Sequence, residues 1–291
     1  MTAATQAGGS GGPASRRRRV DPTGRAIAIL LWGYVFVVLA PIALIVVNSM
    51  RPSRQIFREP IALPESINFD SYVKAWGEAS FSEYFFNSLV IVVASVTLAT
   101  AVSALAAYVL GRYRFRGSAF LAIFFLSGLL LPFRLAIMPL FLLLQDLGLV
   151  DTRLGLILVY AATGVPFSVF ILSAYFRQLP VDLSEAAKMD GAGEFTIFGR
   201  VMLPLVRPAL ATVAVFQFVP LWNDFFFPLV LLRSSEKWTL PVGMTRFFGE
   251  FQTDWSTLFA GIIITTLPLI IVFLLATRQI IAGLTAGIGK L

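Results

Sequence analysis

The chain has neither cysteine nor histidine among its 291 residues. Those two absences remove disulfides, thiolate and imidazole metal sites, and the Ser-His and Cys-His pairs used in nucleophilic catalysis. They also leave the redox compartment unreadable from cysteine usage. Charge is scarce, with 13% Asp, Glu, Lys and Arg where soluble domains carry roughly 25%. A phosphate-cradling loop is missing as well: the Gly289-Lys290 pair is followed by Leu291 instead of Ser or Thr. Hydrolysis of ATP by this chain alone is therefore not expected, and no metal or cofactor of its own is expected either.

What fills the chain is apolar: 57% hydrophobic residues and a mean hydropathy of +0.82. Six stretches reach the roughly 20 residues that a bilayer crossing needs: Ala26–Val47, Ser88–Leu110, Ser118–Leu144, Leu154–Phe176, Pro208–Leu232 and Thr257–Ile281. The expected fold class is an all-α membrane protein with six transmembrane helices occupying residues 26–291, with no room for a large soluble domain. The first block outlasts the 7–15 apolar residues of a cleavable signal and lacks a clear small-residue cleavage site, so it reads as a retained helix. Residues 1–25 read as a disordered tail rich in Gly, Ala and Ser that ends in the basic run Arg16–Arg19. Beside a membrane helix, such a run is better explained as a topology signal against anionic lipid than as a nucleic-acid contact.

With the N-terminus placed inside, the inner segments hold fourteen Lys and Arg and the outer segments eight, several of them in the long first external loop, residues 49–86. That bias predicts cytoplasmic termini. It also places residues 177–207, between the fourth and fifth spans, on the cytoplasmic side.

This inner loop contains Glu185-Ala186-Ala187-Lys188-Met189-Asp190-Gly191. Asp182 and Glu185 have the spacing of an N-cap and its N3 partner, predicting a helix start. Gly191 suits a left-handed residue just past the helix end, which gives a helix of about eight residues. Two turns are marginal in water and need a surface to pack on. Ala186 and Ala187 leave one side nearly flat, open either to another protein or to the bilayer interface, while Phe195 and Phe198 offer an anchor to the spans.

The run Glu185-Ala186-Ala187, three residues, Gly191, nine residues, Val201-Met202-Leu203-Pro204 resembles the coupling loop of binding-protein-dependent ABC importer permeases, with Val201 standing where Ile is usual. Further stretches are similar to the carbohydrate-uptake group, on the side of the second permease subunit of maltose-type systems: Ile67-Asn68-Phe69-Asp70-Ser71-Tyr72, Tyr113-Arg114-Phe115-Arg116-Gly117, Trp222-Asn223-Asp224-Phe225 and Thr239-Leu240-Pro241-Val242-Gly243. The resemblance implies a type I permease fold in a prokaryotic inner or plasma membrane. It also implies a heterodimer with a second homologous permease, two ATP-binding subunits that use ATP and Mg, and an extracytoplasmic solute-binding protein. Glu185, Ala186, Ala187, Gly191, Leu203 and Pro204 would then belong to the ATPase-coupling loop.

Within the membrane, the fifth span places Trp222-Asn223-Asp224 about 21–24 Å from its start near Pro208, past the midplane of a roughly 30 Å core. Gln217 and Asp224 are seven apart and share a face, and Phe218, Trp222 and Phe225 form an adjoining aromatic stripe. Amides and carboxylates beside rings suit a polyhydroxylated solute, and equally a contact between helices. Arg134, between Pro132 and Pro139 of the third span, either reaches toward the outer interface or lines a pathway. The length and the two prolines of that span predict a break or an outward extension. The expected function is import of a sugar or sugar-like solute by the membrane pair of an ATP-driven importer. A glycerophosphate or polyol importer of the same class, or a secondary transporter, is the alternative; the paired broken-helix repeat typical of secondary transporters is not evident.

Overall fold

The computed structural model describes residues 22–64, 67–77, 80–247 and 254–288. The basic run Arg16–Arg19 and most of the expected tail lie outside the described residues. The elements, in order, are α1 (Pro22–Ser49), α2 (Ser53–Arg58), α3 (Asp70–Gly77), α4 (Phe81–Arg112), α5 (Ser118–Gly128), α6 (Ile137–Asp146), α7 (Arg153–Gln178) and α8 (Asp182–Met189). The short turns α9 (Glu194–Thr196) and α10 (Leu203–Leu205) flank a π-helical stretch, Ile197–Met202. After these come α11 (Arg207–Trp222), α12 (Phe226–Leu231), α13 (Leu240–Gly243) and α14 (Trp255–Ile288). Every regular element among the described residues is helical, as the composition predicts.

The helices α1, α4, α7 and α14 are each long and apolar enough to span a bilayer. The third expected span bends by 83° between Ser118–Gly128 and Phe133–Asp146. Its break holds Pro132 and a 3-10 turn, Phe133–Ala136, as the prolines predict. The fifth differs from expectation: the helix expected over Pro208–Leu232 stops at Trp222 and resumes at Phe226. Two local causes act there. The Asp224 carboxylate accepts the Phe227 N–H at 3.2 Å, a side-chain bond that competes with helix continuation, and Pro228 removes a further donor.

The helices α4 and α7 form the axis of residues 46–291. On α4, Ser95, Ala99, Ser103, Ala107 and Gly111 recur every four residues, so one ridge is nearly bare of side chain. Small residues let helix backbones approach closely where no hydrophobic force distinguishes helix from lipid. At Gly111 a Cβ would lie 2.8 Å from the Phe176 Cβ, so only glycine permits that approach. Ser95 also donates to the Ile157 carbonyl of α7 at 3.3 Å.

Three apolar clusters lie along this axis. One joins the start of α4 (Phe81, Tyr84) to Trp222 of α11 and Leu258 of α14. The second gathers Ile91, Leu156, Tyr160 and Leu231. The third, at the end near α8, gathers Tyr108, Phe176, Ile197, Met202 and Val213. It gives the two-turn α8 the surface it needs.

Candidate functional site

The helix α8 runs for eight residues, Asp182–Met189, and its end is a full glycine cap. Gly191 has φ +79°, its N–H donates to the Lys188 carbonyl at 2.9 Å, and the Ala192 N–H reaches the Ala187 carbonyl at 2.9 Å. This 5→2 and 6→1 pair satisfies carbonyls that the helix end would leave bare. The start of the helix differs from the expected capping box. Val181 already has a helical backbone, Asp182 is the first residue inside, and the cap has no side-chain bond. Ser184 turns its hydroxyl to the Val181 carbonyl at 2.7 Å. Asp182 and Glu185 remain in the first turn, where their charge opposes the helix dipole.

The two alanines face different ways. Ala187 is half-buried against the cluster that holds Ile197 and Met202, and Ala186 is exposed. Met189 is 88% exposed and Phe195 87%, so Phe195 forms no anchor, whereas Phe198 packs on Tyr108 at 5.1 Å between ring centroids. Leu203 also packs into this cluster, and Pro204 occupies a first-turn position of α10, where its missing N–H costs nothing.

Two polar links that the sequence does not announce fix α8 to the spans. Arg112, at the end of α4, donates to the Leu179 carbonyl at 2.6 Å, the Pro180 carbonyl at 3.2 Å and Ser184 Oγ at 2.9 Å. It thereby ties the ends of α4 and α7 to the start of α8. Lys188 pairs with Glu194 at 2.9 Å, and the Tyr113 hydroxyl donates to the same carboxylate. The bond from Lys188, followed by that from Tyr113, holds the Glu194 carboxyl below its ordinary range. Burial, reinforced by the Glu194 and Tyr108 contacts, pushes the Tyr113 hydroxyl up.

At the opposite end, the structure brings Arg134 and Asp224 together. The guanidinium lies 3.7 Å from the carboxylate, with Arg134 73% exposed and Asp224 8%. The other Asp224 oxygen accepts the Tyr160 hydroxyl at 2.8 Å. All three residues line a cavity of about 340 Å³, together with Thr163, Pro220 and Phe227. The remaining pathway candidates lie elsewhere. Gln217 is buried and donates to Ser168 Oγ of α7 at 2.7 Å. Phe218 and Trp222 stack at 5.4 Å in the core, where the Trp222 indole N–H reaches the Thr265 carbonyl at 3.0 Å. Asn223 is exposed and bonds back to the Val219 carbonyl at 2.8 Å. Phe225 lies beyond the helix end, outside the stack.

At the same end, Asp151, at φ +57°, accepts the N–H groups of Arg233 and Ser234, the Ser234 hydroxyl and the Lys237 ammonium. Burial alone would raise this carboxyl. The bonds from Ser234, Lys237 and Arg233 outweigh it and hold the group well below the usual carboxylate range.

Known proteins share this architecture. The profile of the family described as "binding-protein-dependent transport system inner membrane component" matches residues 99–284. The chain is 38% identical over 276 residues to the diacetylchitobiose uptake system permease of Streptomyces coelicolor, covering 94% of this chain and 90% of that protein. It is 36% identical over 256 residues to an arabinooligosaccharide transport system permease of Halalkalibacterium halodurans, covering 87% and 91%. A crystal structure of a bacterial ABC transporter involved in import of the acidic polysaccharide alginate contains a chain that superposes with a TM-score of 0.81. That pair is 26% identical, over 90% of this chain and 98% of the other.

Proposed function

The chain belongs to the binding-protein-dependent transport system inner membrane component family, and from that premise we propose how its two ends divide the work. It is a multi-pass membrane permease of a sugar-type ABC importer, a transport subunit and not an enzyme. The α8 end docks on a separate ATP-binding subunit, where ATP and Mg are used. The Arg134–Asp224 end faces the solute and its extracytoplasmic binding protein. Both termini are assigned to the cytoplasm of a prokaryote, on the strength of the Lys and Arg bias between the loops. The working assembly pairs this chain with a second homologous permease and two ATP-binding subunits.

The observation that carries the coupling assignment is α8 itself. A helix that short keeps its place because Arg112 ties it to the ends of α4 and α7 and Lys188 pairs with Glu194, while Ala186 and Met189 stay uncovered. A force applied there reaches α4 and α7 directly. Nucleotide-driven closure of the ATP-binding subunits draws the α8 helices of the two permeases together and switches the pair between inward and outward opening; docking of the loaded binding protein biases the same equilibrium from outside. The solute class is supported by the two relatives, whose names specify a diacetylated chitobiose and arabinose oligosaccharides. Polar groups at the Arg134, Tyr160 and Thr163 cavity offer the mixed donors and acceptors that sugar hydroxyls need.

The test is uptake into proteoliposomes that contain the full complex with ATP inside and binding protein outside. Short oligosaccharides should accumulate, and glycerol 3-phosphate should not. Accumulation of glycerol 3-phosphate without any saccharide would overturn the solute class while leaving the ATP-coupled mechanism intact.

A further inference from the structure

A cavity of about 670 Å³ opens beside α8 and belongs to no step above. Its walls carry Arg112, Arg114, Arg177 and Lys188 against one carboxylate, Glu185. Two of these cations are already committed, Arg112 to carbonyls and Ser184, and Lys188 to Glu194. Arg114 and Arg177 are exposed and have no hydrogen bond or ion pair among the described residues. Two uncompensated guanidiniums on one cavity wall repel each other and offer bidentate donors to an anion.

A second cavity, about 220 Å³, adjoins the first, and Leu110 and Arg177 line both. Its other walls are almost wholly apolar, including Ala122, Ile123 and Leu126 of α5 and Val169, Phe170 and Ala174 of α7. The pair thus forms a single cleft with a cationic mouth and an oily floor. Its depth is also fixed. The spans α4 and α7 end at Arg112 and Gln178, and α5 begins at Ser118, so the mouth lies at the membrane boundary and the floor inside the hydrocarbon.

We propose that this cleft binds one anionic phospholipid, its phosphate on Arg114 and Arg177 and an acyl chain along the α5–α7 groove. A free phosphate would satisfy the mouth alone. The groove, and the opening of the mouth at headgroup depth, select the lipid. Ser184, Glu185 and Lys188 of α8 form one wall of the mouth, so an occupied cleft braces the helix that meets the ATP-binding subunit. The site therefore makes coupling sensitive to leaflet composition, independently of which solute is carried.

Native mass spectrometry of the detergent-purified complex, titrated with phosphatidylglycerol or phosphatidylcholine, tests the assignment. Wild type should retain phosphatidylglycerol and release phosphatidylcholine. Arg114→Gln with Arg177→Gln should lower phosphatidylglycerol retention about tenfold or more, given the attraction each cation adds near an anionic surface. Ala174→Trp, which fills the groove and leaves both arginines, should lower it as well, and millimolar inorganic phosphate should fail to displace the lipid. Equal retention by the double arginine variant overturns the site. Displacement by inorganic phosphate, or full retention by Ala174→Trp in an intact complex, overturns the lipid in favour of a free anion. Should Ala174→Trp prevent assembly, the arginine variant and the phosphate competition decide the question between them.

Discussion

The side-chain oxygen of Gln217 occupies the space that a Cβ on Gly164 would need: the two would stand 2.1 Å apart. Gln217 is thus a wedge between α11 and α7, held by its amide bond to Ser168. The seven-residue spacing that joins it to Asp224 in the sequence is a packing face, with Tyr160, Gly164 and Ser168 of α7 opposite at intervals of four.

Gly164→Ala should therefore expel the Gln217 amide and cost about 1–3 kcal/mol, the usual range for overfilling a packed interior. Adding Gln217→Ala should recover most of the loss. Thermal unfolding of the single and double variants in detergent measures this coupling, and additive losses would show that the two residues do not share the space.

Asp224 has two kinds of partner, and they separate by substitution. Asp224→Asn removes the charge paired with Arg134 but keeps an acceptor for Tyr160. With Arg134 so exposed, stability should change by less than about 1 kcal/mol, while solute uptake falls. Tyr160→Phe leaves the buried Asp224 oxygen with only the 3.2 Å bond from the Phe227 N–H and should destabilise by about 1–3 kcal/mol. Uptake by the complex and retention of the partner permease, measured together, distinguish the two effects. Loss of assembly in Asp224→Asn would mark the residue as structural.

On α8, Ala186→Arg places bulk and charge on the uncovered side without touching the cluster behind Ala187. It should reduce co-purification of the ATP-binding subunit and uptake, with the partner permease retained. Gly191→Val forces a β-branched residue into a left-handed backbone, at a cost of at least about 1–2 kcal/mol, and redirects the chain after the helix. Normal ATPase association and uptake in both variants would return α8 to the role of an interfacial helix.

Asp254 starts α14, accepting the Thr257 N–H at 3.2 Å and the Lys74 ammonium at 2.5 Å. Burial alone would raise its carboxyl, yet the bonds from Lys74, Thr257 and Ser53 hold it well below the ordinary range. A depressed carboxyl stabilises the fold fully above its unfolded value and loses that contribution as pH falls through the folded one. Amide protection at Thr257 and Leu258, corrected for intrinsic exchange, should thus stay flat from pH 5 to 8 and fall below about pH 4. In Asp254→Asn it should be lower and show no such fall. A fall in wild type between pH 5 and 8 would contradict the depressed carboxyl.

Local signals were the ones that could be read. The left-handed Gly191, the eight-residue length of α8 and the broken third span each follow from residues within a turn or two of one another, where backbone sterics decide. Six apolar blocks likewise predict the spans, because hydrocarbon thickness fixes length. The missing capping box also had a local cause, since Val181 enters the helix one residue early. What escaped was pairing at a distance. Tyr160 meets Asp224 across 64 residues and Asp151 meets Ser234 across 83, and nothing in either neighbourhood names the partner. The every-fourth small residues of α4 form a contact ridge only once α7 is seen against them, since such a ridge marks a close approach without saying to what.

The helix α7 carries both ends of this arrangement on one rod. Tyr160 lies near its start, and just past its end the carbonyls of Leu179 and Pro180 are gripped by Arg112. The separation along the rod, at 1.5 Å per residue, is about 28 Å. Pro166 interrupts its hydrogen-bond ladder and is its point of compliance. Phase along this rod is set by residue count. One residue inserted between Tyr160 and Leu179 would turn one end about 100° against the other, aiming the Tyr160 hydroxyl away from Asp224 while α8 kept its place. The length of α7 is therefore as firmly constrained as its packed residues Gly164 and Ser168.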